Sequence, residues 1–316
     1  MYADTVDGMK LTRNGWFLVT LLVLLSLAAY YLCPPPQIVA QFSGELPQGL
    51  VRIGFAVIVA LAILANIVII ASLPRSAQIG IVWVELTLLF FAFFYLFNLS
   101  LAFILSKLSF LIVQGVTTTL YVSAISIVFA TILALAGAIA KLSQSGVAYG
   151  IASFYTSVFR GLPLLMQVYL IYVGLPQLGY DVDAVPAGIA ALSLCYGAYM
   201  TEIFRAGIQS IPRGQWEAAR ALGFKPARIL RLIILPQAVP IVTPPIGNQF
   251  IAMLKDSSLV SIIGVWDLMY LSRTLGNQTF QHMEMLITAA VIYWVLTIVL
   301  EIAQSRLERF FRKESR

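Results

Sequence analysis

The sequence predicts an all-α integral membrane protein of about eight transmembrane helices, and three observations carry that prediction. Of its residues, 60% are apolar and only 11% charged, with a mean hydropathy of +0.91, whereas a soluble domain carries about 25% charged residues. The apolar residues gather in runs of the roughly 20 residues that a helix needs to cross a bilayer. Fifteen of the 20 Lys and Arg residues fall on one side of the alternating loops that these runs define.

The runs lie near 16–33, 50–73, 81–105, 110–140, 149–175, 186–209, 236–265 and 285–305. The first follows Lys10 and Arg13 as a signal peptide would, but no small-residue cleavage site follows it and YYLCPPP is a poor lipoprotein site, so it reads as a retained helix. The third run contains Glu85, and a carboxylate at membrane depth is either functional or paired with another helix. The fourth carries Thr119, Ser123 and Ser126 as a polar stripe suited to helix packing, and the fifth encloses Arg160 before GLPLL. The sixth ends in TEIFRAG, where Glu202 and Arg205 brace each other or the following loop. In the seventh, Pro236, Pro240, Pro244 and Pro245 predict a helix broken near its middle, an irregularity tolerated at membrane depth where it lines a cavity. The eighth leads into a basic tail, Arg306 to Arg316.

Lys and Arg accumulate in cytoplasmic loops. Only Arg52, Lys107 and Arg273 fall on the opposite side, and Arg160 and Lys255 fall inside runs, so both termini are expected in the cytoplasm of a bacterial inner membrane. The net charge of +6 then reads as topology and attraction to anionic lipid, without nucleic acid. Cys33 and Cys195 lie too far apart in the expected topology for a disulfide, and no metal-ligand spacing is present. The sole histidine, His282, reads as a solvated loop residue.

EAARALGFKPARILRLIILPQA, residues 217–238, interrupts the apolar pattern with Arg220, Lys225, Arg228 and Arg231, and Arg213 lies just upstream. Ser210 is placed to cap a helix starting near Pro212, Gly223 to end it at positive φ, and Pro226 to open a second short helix. Trp216, Ala219 and Leu222 give the first helix an apolar side, while Ala218 and Ala219 permit close approach by a partner. A helix this short is marginal alone and is expected to dock on something.

This stretch resembles the EAA loop of binding-protein-dependent ATP-binding cassette (ABC) import permeases. Three further segments, FRGLPLLMQVYLIYVGLP at 159–176, AYMTEIFRAGI at 198–208 and LKDSSLVSIIGV at 254–265, resemble the polar amino-acid branch of that family. The resemblance implies a type I importer permease core of five spans at residues 106–316, preceded by an extension of three helices at 1–105. It implies a cytoplasmic loop at 210–238 whose Glu217, Ala218, Ala219, Arg220 and Gly223 engage a separate ATPase subunit. It also implies two such ATPases, a second permease of the same or a homologous chain, and an external solute-binding protein. ATP would be bound by the partner and no cofactor by this chain, which has no Gly-Lys pair from which to build a phosphate loop.

For an amino-acid substrate, the end of the seventh run offers Gln249 and Asp256 on one helical face, with Lys255, Ser257 and Ser258 beside them. Asp256 is expected to take the ammonium if it is buried, unless Lys255 neutralises it as a structural pair. An ion-gradient-driven secondary transporter would equally account for a broken seventh helix, but not for the loop at 217–238.

Overall fold

A computed structural model describes residues 15–32, 47–95 and 99–314, which divide into two compact units, Met1–Asn98 and Leu99–Arg316. No strand occurs among the described residues. The first unit holds α1 (Gly15–Leu32), α2 (Gln48–Ala71) and α3 (Arg75–Tyr95). Glu85 of α3 accepts a 2.8 Å hydrogen bond from Asn66 of α2, so the intramembrane carboxylate has a neighbouring span as partner. Cys33 and the residues around it lie outside the described segments.

The second unit begins with α4 (Leu101–Leu142), whose 42 residues extend roughly 60 Å, about twice the hydrocarbon thickness of a bilayer. Ser100 caps it by accepting from the Phe103 amide. Thus the third apolar run of the sequence is two elements, because α3 ends at Tyr95 and residues 101–105 open α4. The fifth run also divides, into α5 (Gly146–Gly161) and α6 (Leu164–Gln177), which meet at 107°. Pro163 causes this bend, since it lacks the amide that would bond the Phe159 carbonyl in a continuous helix.

Then come α7 (Ala184–Gln209), α8 (Arg213–Ala221), α9 (Pro226–Ile263), α10 (Leu268–Thr279) and α11 (His282–Glu314). Among the described residues, six helices are long and apolar enough to cross a membrane, or seven if α5 and α6 count as one span. The apolar stretch of α1, Leu18–Tyr31, is shorter, so the count of eight is not matched.

Two local expectations fail. Ser210 ends α7 rather than capping α8, because its hydroxyl donates backward to the Gly207 carbonyl at 2.7 Å. The prolines of α9 do not break it: a wide turn at Leu230–Ile234 leads into regular helix from Leu235 to Asp256, and the tightening to a 3-10 helix comes only at Ser257–Ile263. With prolines four residues apart, the donors missing at Pro240 and Pro244 fall on the carbonyls of Pro236 and Pro240. The loss therefore runs along one line of the helix, with the Ile241 carbonyl that Pro245 leaves open beside it, and the remaining face keeps its bonds.

Helix α7 is the centre of this unit, with 61% of its most apolar stretch buried. It packs on α4 through small residues, among them Ala130, Ala134 and Gly137 against Cys195, Ala198 and Thr201. A Cβ at Gly137 would lie 2.6 Å from Thr201 Oγ1, so glycine sets the approach of the two backbones. Thr119, Ser123 and Ser126 are fully buried in the same layer. Thr119 accepts from the Leu268 amide at 3.2 Å, and the Ser126 carbonyl accepts from Ser193 at 3.3 Å, which makes the stripe a packing feature.

Candidate functional site

The bend between α5 and α6 opens a cleft of about 430 Å³ that α7 and α9 close. Arg160 comes from the last turn of α5, Cys195, Tyr196 and Tyr199 from one side of α7, and Gln249 and Asp256 from α9. Gln167 of α6, itself 2% exposed, holds the bend. Its amide donates at 2.9 Å both to the Phe159 carbonyl, which Pro163 leaves without a donor, and to the Leu162 carbonyl. Its side chain thus positions Arg160, one residue past Phe159.

Asp256 and Arg160 give the cleft opposite charges. Asp256 Oδ2 accepts from the Tyr196 hydroxyl at 2.7 Å. Contrary to the expectation of a buried carboxylate, the residue is exposed, so the cleft opens to its side chain and solvation lowers the cost of its charge. The Arg160 guanidinium lies 5.4 Å from the centre of the Tyr199 ring. Its Nη1 stands 3.9 Å from Glu202 Oε1, outside hydrogen-bond distance, and its side chain is 43% exposed.

Of the residues expected to bind substrate, Gln249 and Asp256 line this cleft, while Lys255, Ser257 and Ser258 do not. Lys255 is exposed and forms no ion pair among those found in the described residues. Ser257 is fully buried and donates to the Leu254 carbonyl at 2.7 Å. Successive residues of a helix point in different directions, which separates all three from Asp256. Arg160, Tyr196 and Tyr199 were absent from the expected set. The signal for Arg160 was the Gly161-Leu162-Pro163 sequence after it, a break inside an apolar run.

The loop after α7 ends α8 at Gly223, whose φ is +76°. The Gly223 amide donates to the Arg220 carbonyl at 2.9 Å, and the Phe224 amide to the Ala219 carbonyl at 3.1 Å. Ala219 is 2% exposed and packs with Ile211, Ile229, Ile234 and Ala238, with Trp216 half-buried against them. Leu222 departs from the expected apolar side, being 77% exposed. Together with Glu217, Ala218, Arg220 and Gly223 it forms an outward surface.

Behind the cleft, Glu202 is bonded on one oxygen by Lys141 and on the other by Arg205 at 2.7 Å. Arg205 also donates to Gln209 at 2.7 Å, so the Glu202–Arg205 brace exists and α4 joins it through Lys141. Among the described residues, no group of His, Cys, Asp and Glu is placed to hold a metal ion.

Residues 132–313 match the family described as binding-protein-dependent transport system inner membrane component. The chain is 40% identical to the arginine transport system permease protein ArtQ of Bacillus subtilis over 199 residues, covering 63% of this chain and 91% of that protein. It is 38% identical to the L-cystine transport system permease protein TcyB of the same organism over 196 residues, covering 62% and 84%. Among solved structures, an amino acid ABC transporter determined with histidines matches 67% of this chain and 98% of its own, with a TM-score of 0.62 and 36% identity.

Proposed function

Because the chain belongs to the family of binding-protein-dependent transport system inner membrane components, we propose that it is the permease subunit of an importer that carries a polar L-amino acid through the cleft between α5, α7 and α9. The observation that carries this reading is the pairing of Arg160 and Asp256 in one cleft with Gln249. An amino acid is a zwitterion: its carboxylate suits the planar donors of Arg160, and its ammonium suits Asp256, which Tyr196 orients. Gln249 is left for a polar side chain. The arginine, cystine and glutamine named for relatives share the zwitterion and differ beyond it, so the charged pair speaks for the class of substrate.

Movement through the cleft is driven from outside this chain. Two ATPase subunits bind ATP and seat against the outward surface of α8, where Glu217, Ala218, Arg220 and Gly223 meet them. Ala219, buried beneath, transmits the displacement into the packing of α9. The chain pairs with a second permease, and a solute-binding protein delivers substrate from outside, with both termini of this chain in the cytoplasm. Transport is assigned to the unit Leu99–Arg316 rather than to 106–316, because residues 101–105 open α4, and Met1–Asn98 is an added membrane unit. An ion-gradient carrier gives the exposed surface of α8 no task and is disfavoured.

The test is Asp256→Asn in the reconstituted complex. A charge-assisted hydrogen bond contributes roughly 1.5 to 3 kcal/mol, so affinity should fall about ten- to a hundredfold, with expression and basal ATPase activity kept. Loss of folded protein without a change in the affinity of what remains would instead make Asp256 structural.

A further inference from the structure

A second cleft of about 510 Å³ adjoins the first, and Arg160, Gly161 and Tyr199 line both. Its remaining walls include Lys141, Tyr149, Ser153, Thr156 and Glu202. On α7 the first cleft touches Cys195, Tyr196 and Tyr199 and the second Tyr199 and Glu202, so the second lies nearer the end of α7 that carries α8. Along α5, Tyr149, Ser153, Thr156 and Arg160 recur at three- and four-residue spacing. They form one polar face, running from the first turn of the helix to its bend.

Charge and hydrogen bonding in this cleft are both incomplete. Lys141 and Arg160 line it against the single carboxylate of Glu202, and Arg205 adds a third cation to that same carboxylate. Lys141 and Arg205 occupy the two oxygens of Glu202, which leaves Arg160 at 3.9 Å with its donors uncommitted. The Lys141 side chain is only 11% exposed, and Ser153 Oγ is buried without a hydrogen-bond partner. Lys141 also donates to Thr156 at 2.8 Å, so the free binding capacity of this cleft lies with the exposed Arg160 guanidinium and the unpartnered Ser153 hydroxyl, both suited to an anion.

We propose that this second cleft is a relay subsite for the carboxylate of the transported amino acid, entered from the first cleft through Arg160. Resting on the reading of the first cleft as the substrate site, it adds a second stop on the side toward α8. Arg160 keeps hold of the carboxylate as the molecule passes Tyr199. Lys141 and the hydroxyls of Tyr149 and Ser153 receive it, while Glu202 stays bonded to Lys141 and Arg205 and holds Lys141 in place. Sharing one guanidinium between two stops means that neither stop has to release the charge into an apolar gap.

The experiment uses Ser157→Cys, a position on the wall of the second cleft, in the full complex with its ATPases in lipid nanodiscs and with Cys33 and Cys195 replaced by alanine. The rate of alkylation by N-ethylmaleimide is read with a millimolar mixture of L-amino acids free of cysteine, with the corresponding amino-acid amides, and with inorganic phosphate. Filling of the subsite should slow alkylation about tenfold with the amino acids and leave it unchanged with the amides, which lack the carboxylate. Equal slowing by phosphate would assign the cleft to an inorganic anion, and no slowing at all would remove the subsite; either overturns the proposal. Gly161→Cys, an exposed position on the same wall whose added Cβ would meet nothing within 4 Å, read in the same way in the Asp256→Asn background, covers the case in which the first variant does not assemble. Asp256→Asn separates the two readings: if total amino-acid binding survives it while protection at position 157 persists, the reading of the first cleft as the substrate site fails and the second cleft remains a carboxylate site without a relay, whereas loss of protection at 157 with retained binding overturns the second cleft alone.

Discussion

Replacing Gly223 with valine tests the proposed coupling surface at a point where the structure isolates a single cause. The residue has φ +76°, and an added Cβ would meet nothing within 4 Å. The cost is therefore backbone strain without a packing clash: about 1 to 2 kcal/mol for an L-residue in the left-handed region, and toward the upper end for a branched side chain. At about 1.4 kcal/mol per factor of ten, the ordered turn loses roughly five- to thirtyfold of its population advantage. The turn is held by three backbone hydrogen bonds, Leu222 to Ala218, Gly223 to Arg220 and Phe224 to Ala219, so α8 should fray at the surface proposed to meet the ATPase. Membrane insertion should survive. The assay is substrate-stimulated ATP hydrolysis and uptake in proteoliposomes, normalised to incorporated protein. Gly179→Val is the control: it has φ +87° and open space around its Cβ, and it lies in the turn between α6 and α7. Loss of coupling in Gly223→Val but not in Gly179→Val is expected, and normal transport by Gly223→Val would refute the role of this surface.

Gly137→Ala should lower the melting temperature of the purified protein, because its Cβ would lie 2.6 Å from Thr201 Oγ1, an overpacking worth about 1 to 3 kcal/mol; adding Thr201→Ala should recover most of the loss. Gln167→Leu strands the Phe159 and Leu162 carbonyls at the α5–α6 bend, costing about 1 to 3 kcal/mol, and should weaken amino-acid binding through Arg160, as ligand-binding calorimetry can measure. Asp267, in the turn before α10 and outside the candidate spans, is fully buried, and that burial pushes its carboxyl up to about 7 against its hydrogen bonds from Tyr270 and Tyr293. The unfolded chain ionises at about 3.9, so the stability that Asp267 contributes is present below that pH and is lost as pH rises through 7. Asn keeps an acceptor for the Tyr270 amide and cannot ionise, so Asp267→Asn should melt higher than the parent at a pH of about 8 and show no such gain near a pH of 4.

How far the site could be read from the chain depended on the range of the interactions that make it. Length and hydropathy are local properties and gave the membrane class and most of the spans. Gly223 was legible because a positive φ imposes its requirement on one residue alone. The prolines of α9 misled because their density predicts a break near the middle of the helix, whereas the spacing of Pro236, Pro240 and Pro244 stacks two of the missing donors on one line. Asp256 and Gln249 were found together since one helix carries both, two turns apart. Arg160, Tyr196 and Glu202 belong to the same two clefts but lie on other helices, and nothing within those helices states that they meet. The bend at Pro163 brings them together, and it persists because a glutamine four residues later bonds the carbonyl that the proline leaves open. A proline followed by an amide side chain one turn on, inside an apolar run that encloses an arginine three residues before the proline, is thus a pattern in sequence with a structural consequence: a span that turns and presents its cation to a cleft.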